Sequence, residues 1–182
     1  MYLFKLIPAL ALGAAALLAA DPPAAAKVFD TQLRNLEREF VPLVEAMPAD
    51  KFNFAPDDGA FKGVRTFGLQ AKHAAFVLFS VSAALLGEQN PSGGGTDENG
   101  PAQLENKAGI VKYVQDAFAY AHKAVGTLTN ANLMEETTDP FNAKGKRTRV
   151  DSAALLLWHT FDHYGQMVEY VRMNNIVPPA SR

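Results

Sequence analysis

Four stretches of this chain repeat their apolar residues every three to four positions, each over about 20 to 27 residues, and no segment alternates with period two long enough to build a sheet. A helix with one apolar stripe must bury that stripe against another element. The expected architecture is therefore all-α, a four-helix bundle. The first stretch runs from about Ala26 to Met47, with Val28, Leu33, Leu36, Phe40, Leu43 and Val44 in register. Pro42 interrupts it, because proline removes a backbone donor. The second covers about Thr66 to Leu86 and stops at Gly87, a residue suited to a helix C-cap. The third runs from about Ala102 to Leu128 on Ile110, Val114, Ala117, Phe118, Ala121 and Val125. The fourth spans about Val150 to Asn174 and is closed off by Pro178-Pro179.

The connections divide by composition. Pro48 to Pro56 has no periodicity and reads as an ordered loop, with Phe52 and Phe54 plugging one end of the core. Glu88 to Gly100, containing Ser92-Gly93-Gly94-Gly95, has the composition of a mobile loop, either a lid or a tether. Thr129 to Arg149 is long and polar, with room for a short hairpin, and its basic run Lys144 to Arg149 reads as a solvated turn. The long connections after helices two and three leave room for crossovers, so a simple up-down order is not assumed.

Residues 1–20 form a separate unit. Lys5 precedes an apolar run from Leu6 to Ala20, and small residues follow, with cleavage expected after Ala20 or as late as Ala26. This is a secretory signal pattern, too short for a comfortable membrane span, with an uncleaved N-terminal anchor as its rival. The expectation is a periplasmic or secreted protein, its domain covering residues 27–182, with no stable membrane span once the leader is removed. The chain contains no cysteine, which excludes disulfides, thiolate ligands and a lipid-modified N-terminus. Its formal charge of −2 becomes −3 without Lys5, and no basic face is apparent, so nucleic acid is a poor partner.

Three of the four histidines carry the candidate chemistry. His159 and His163 lie four apart in the fourth stretch, so their side chains share one helix face and can address one divalent cation. His73 lies seven residues into the second stretch, roughly 10 Å along its axis, a height compatible with theirs. Three neutral imidazoles plus a small ligand make a familiar zinc set, and nickel or iron suit the same donors. The competing reading is three packed histidines, and it stays open on spacing alone. His122 sits beside the stripe of the third helix, exposed or at a helix boundary, and is left out. Gln166, one turn beyond His163, and Tyr170 on the same face are candidates for contact with a substrate, a water or a ligand ring. Asp162 could orient an imidazole, or be a solvated carboxylate. Gly165 would allow close approach of another helix, and Trp158 reads as core.

Other chemistries fit less well. A ferritin-like di-iron site needs Glu three residues before histidine on two helices, but those positions hold Gln70, Ala119, Leu156 and Thr160. The His-Glu-x-x-His metalloprotease pattern fails because Thr160 follows His159. Haem held by His163 and Met167 stays open, whereas c-type attachment is absent with the cysteines.

Three segments in order resemble one family: Met47 to Pro56, Val64-Arg65-Thr66-Phe67-Gly68 running into His73, and His159-x-x-x-His163-x-Gly165-Gln166 followed by Tyr170-Val171-Arg172 and Ile176 to Pro179. Together they resemble the DinB/YfiT-like superfamily of four-helix-bundle proteins. The resemblance implies a metal held by one histidine of helix two and two of helix four, which map onto His73, His159 and His163. It also implies activities such as thiol-dependent S-transfer or isomerisation. The leader departs from that pattern, because such proteins are usually cytoplasmic.

The expected function is thus an exported divalent-metal protein acting on a small molecule as a hydrolase or thiol transferase. The alternatives are a non-catalytic metal- or ligand-binding module, dimeric through a helix face, and a helical interaction protein with packed histidines.

Overall fold

The computed structural model describes residues 25–57, 59–93, 95 and 97–182. The leader, its cleavage site after Ala20 and the localisation read from it lie outside these residues. Four long helices make the frame: α1 (Ala25–Ala46), α2 (Phe67–Leu86), α3 (Lys107–Val125) and α4 (Arg149–Met173). A hairpin of β1 (Glu136–Asp139) and β2 (Asn142–Thr148) precedes α4, and single 3-10 turns sit at Ala49–Lys51 and Pro179–Ser181.

Local chemistry sets the ends of the helices. Thr66, Asn106 and Thr148 each stand in extended backbone and accept a hydrogen bond from an amide three residues on, satisfying a donor the helix leaves open. Asn106 explains why α3 starts five residues later than the periodicity predicts: its side chain takes the Gly109 amide at 2.8 Å. The preceding segment closes instead into a turn with Leu104 bonded to the Pro101 carbonyl. α3 also ends before Gly126, although Leu128 in the following turn remains buried. Gly87 takes the left-handed conformation, φ 67°, that ends α2. α1 runs on through Pro42.

Packing places α1 against α3 and α4, and α2 against the same two helices, so α1–α2 and α3–α4 are the diagonals of the bundle. The diagonal crossings are therefore made by the first and third connections, whereas the second joins neighbours; length alone pointed to the second and third. α2 is the axis of the structure and is buried on nearly every side. Its composition would suit a membrane span, but 83% of its most apolar window is covered by the rest of the protein. The core runs from Phe40, Leu43 and Met47 through Phe67, Leu78 and Phe118 to Leu156 and Met167. Phe52 plugs one end, with its ring edge-on to Phe67 at 5.5 Å. Phe54 is half-buried against Tyr170.

Several expected contacts are not made. Val28 and Trp158 are exposed rather than core, at 50% and 59%. A Cβ on Gly165 would meet nothing within 4 Å among the described residues, so no helix exploits that glycine. The basic run is not a turn: residues 144–148 form most of β2, which pairs antiparallel with β1. The hairpin and the start of α4 are tied to the C-terminal end of α2, whose last carbonyls have no intrahelical donors. Thr137 Oγ1 donates to the Ala84 carbonyl, and Arg149 donates to the Leu85 carbonyl at 3.0 Å.

Candidate metal centre

α2 and α4 pack side by side along the bundle, and this brings His73 to the same height as His159 and His163. Ring centroids are 4.6 Å apart for His159–His163, 4.7 Å for His73–His163 and 5.1 Å for His73–His159. One nitrogen from each ring lies within 4.8 Å of the other two, close enough to share one ion. His73 and His163 are buried and His159 is half-buried.

Hydrogen bonds settle which nitrogen of two rings is free. His73 Nδ1 lies 2.7 Å from the Glu98 carbonyl oxygen, and His163 Nδ1 lies 2.5 Å from Gln70 Oε1. An oxygen acceptor requires the proton on Nδ1, which leaves Nε2 of each ring as an unprotonated lone pair. The Gln70 amide is itself oriented from outside. Its Nε2 donates to Gln166 Oε1 at 2.9 Å, and Gln166 Nε2 donates to Asp162 Oδ2 at 2.8 Å. A carboxylate can only accept, so the direction of every bond in the series Asp162, Gln166, Gln70, His163 follows from its outer end. His159 Nδ1 is buried and has no hydrogen-bond partner among the described residues.

The electrostatics agree with neutral rings. Burial pushes His163 down to about 3, and the neighbouring His159 and His73 rings push the same way. Burial lowers His159 to about 4, with His73 adding to the effect and Asp162 opposing it. His73 is lowered as well, first by burial. The Arg65 charge adds to the depression of all three. Three neutral imidazoles, two of them with free lone pairs and one with an unpartnered buried nitrogen, are a donor set that fits a divalent cation. Haem is the poorer fit, since Met167 is fully buried in the apolar core.

The other residues singled out in the sequence take varied places. Gln166 reaches His163 only through Gln70. Tyr170 donates its hydroxyl to the Arg65 carbonyl at 3.1 Å. Asp162 serves as the acceptor for Gln166. His122 is apart from the cluster and half-buried, with Nδ1 2.6 Å from Asp30 and Nε2 3.1 Å from Glu37. Sequence reasoning missed Gln70 and the Glu98 carbonyl as partners of the rings. Gln70 carries a usable signal, because it lies three residues before His73 and so on the same face of α2. A backbone carbonyl from a loop carries none.

Among curated proteins, none matches this chain. A family model does match, over residues 32–167, more than half of the 182-residue chain and inclusive of all three clustered histidines. With its four-helix frame and its histidine cluster between α2 and α4, the chain belongs to the DinB superfamily.

Proposed function

We propose that this protein binds a divalent metal, zinc first and nickel or iron next, through His73, His159 and His163, and uses it to act on a small molecule as a hydrolase or thiol transferase. The observation that carries the reading is the pair of Nδ1–H bonds from His73 and His163 to oxygen acceptors, which leaves Nε2 of both rings free in a cluster where one nitrogen of each ring lies within 4.8 Å of the others. Lone pairs so placed need a shared donor or Lewis acid, and one divalent ion can serve all three rings at once. When bound, a divalent ion supplies Lewis acidity toward a carbonyl, a water or a thiol.

The chain's own residues hold and orient. The Glu98 carbonyl and Gln70 fix two rings and raise their basicity as ligands, and Gln166 fixes Gln70. The leader pattern supports export, where low-molecular-weight thiols of the cytosol are scarce. Hydrolysis is therefore the first reaction to test.

Elemental analysis of wild type and His159→Ala, purified without added metal or a metal-binding tag, tests the site. About one equivalent in wild type, lost in the variant, is expected for a three-ligand site. No metal in either, even after reconstitution with zinc, nickel and iron, would leave packed histidines. Turnover against hydrolase and thiol-transfer panels then separates an enzyme from a binding module.

A further inference from the structure

A cavity of about 440 Å3 is lined by Gly63, Val64, Arg65, Gln70, Asn99 and Gln166. Its volume suits a small molecule. Gln70 forms part of its wall and also holds His163, so the cavity begins one hydrogen bond from the candidate metal centre.

The side-chain acceptors on this wall are already engaged. Gln70 Oε1 takes the His163 proton, Gln166 Oε1 takes an N–H of Gln70, and Asn99 Oδ1 takes the Nε–H of Arg65 at 2.9 Å. Besides the second lone pair of each amide oxygen, the side chains offer free donors: the terminal nitrogens of Arg65, Asn99 Nδ2 and the second N–H of Gln166. The bond to Asn99 orients the guanidinium through a neutral amide and leaves its terminal nitrogens open to a ligand. Its carboxylate partner is Glu98, in a loose ion pair at 3.8 Å that is too long for a hydrogen bond and 57% exposed on the Glu98 side, so a bound oxyanion can compete with it. Arg65 is further placed by the Tyr170 hydroxyl on its carbonyl and by Thr66, the cap of α2, as its next neighbour.

A cation flanked by free N–H groups favours an oxyanion, and a guanidinium fork matches carboxylate or phosphate oxygens with two parallel bonds. We propose that Arg65, with Asn99 and Gln166, forms the anion-recognition subsite of the three-histidine centre, so that the substrate is a small molecule carrying a carboxylate or phosphate group. The inference rests on the metal-centre reading for the position of the reacting group. The subsite itself stands on Arg65 and its cavity.

The test is isothermal titration of zinc-loaded and metal-free protein with succinate, inorganic phosphate and the neutral succinamide, on wild type, Arg65→Gln and Arg65→Lys. Zinc content and helical circular dichroism are measured on the same samples. Wild type is expected to bind succinate or phosphate but not succinamide. Arg65→Gln is expected to weaken the anion about 10- to 100-fold with zinc content unchanged, and Arg65→Lys to keep part of the affinity. Whichever of succinate and phosphate binds more tightly identifies the anion. Equal affinity in wild type and Arg65→Gln, or no anion bound by wild type, overturns the proposal. Protein that takes up no zinc yet binds succinate or phosphate through Arg65 overturns the metal reading and upholds the subsite. Should Arg65→Gln lose helix content, Asn99→Ala replaces it and is expected to weaken the anion several-fold, because it frees the guanidinium from its orienting bond; unchanged affinity in that variant counts against the proposal.

Discussion

Gln70 and His163 face each other across the packed α2 and α4 helices, with His163 Nδ1 2.5 Å from Gln70 Oε1. The bond does two things. It fixes the imidazole in the tautomer that leaves Nε2 free, and it prevents a buried N–H from standing alone.

Gln70→Leu therefore separates ligand orientation from ligand identity. All three imidazoles remain, but His163 loses its acceptor and Gln166 loses a donor. Metal affinity should fall about 10- to 100-fold, and the apo protein should lose about 1–3 kcal/mol for the orphaned N–H. Asp162→Asn, at the exposed end of the series, should have a smaller effect of the same sign. Competition with a chromogenic chelator gives the affinities and urea unfolding the stabilities. An unchanged affinity in Gln70→Leu would mean that the glutamine packs without orienting the ring.

Bound metal should also stabilise the fold, because the unfolded chain does not hold three histidines at one point. At a free concentration of about 100 times Kd the gain is about 2.7 kcal/mol. For a domain of this size that corresponds to about 5–10 °C in Tm. Differential scanning calorimetry with zinc and with chelator should show this shift in wild type and none in His73→Ala. The same Tm with and without chelator in wild type would favour packed histidines.

Much of this arrangement was legible in the residues, and the part that was not has physical reasons. The helical stripes and the i,i+4 pair of His159 and His163 are local patterns, and local patterns survive folding. The pairing with His73 was inferable from its height on α2, since helix rise is constant. The order of helices around the bundle was harder, because connection length does not say which diagonal a loop crosses. The start of α3 failed because Asn106 competes for a backbone amide, which apolar periodicity does not register. Trp158 failed because a large aromatic at a plausible register position can lie along a groove: it lines one with Phe29 and Leu36 while remaining exposed. The Glu98 carbonyl on His73 was out of reach, since any residue type supplies the same carbonyl.

The contrast between core and surface aromatics gives a direct test of the packing. Phe40 is 1% exposed and its ring centroid lies 5.9 Å from that of Phe118, at the contact of α1 with α3. Phe40→Ala should cost about 3–5 kcal/mol, enough to endanger folding. Trp158→Ala should change stability by about 0.5 kcal/mol, as expected of an exposed position. Chemical denaturation of the two variants checks both values. A loss of several kcal/mol in Trp158→Ala would show that the indole is covered in solution.

The last prediction concerns pH and the metal-free protein. In the unfolded chain these imidazoles titrate near 6.5, whereas in the fold burial holds His159 at about 4 and His163 at about 3. Between these values the unfolded chain takes up protons that the native state refuses, so the unfolding free energy decreases as pH falls. The contribution is fully present above 6.5 and is lost progressively toward about 4 for His159 and about 3 for His163. Urea midpoints measured with chelator from pH 8 to about pH 4.5 should drop more steeply below 6.5 in wild type than in the double variant His159→Ala, His163→Ala. Carboxylates titrate in both proteins, and the difference between them isolates the imidazoles. Zinc should steepen the wild-type dependence further, since protons compete for the ligand nitrogens. Parallel curves for wild type and the double variant would mean that the rings are hydrated and charge freely in the fold, which would remove the desolvation on which their readiness as neutral ligands depends.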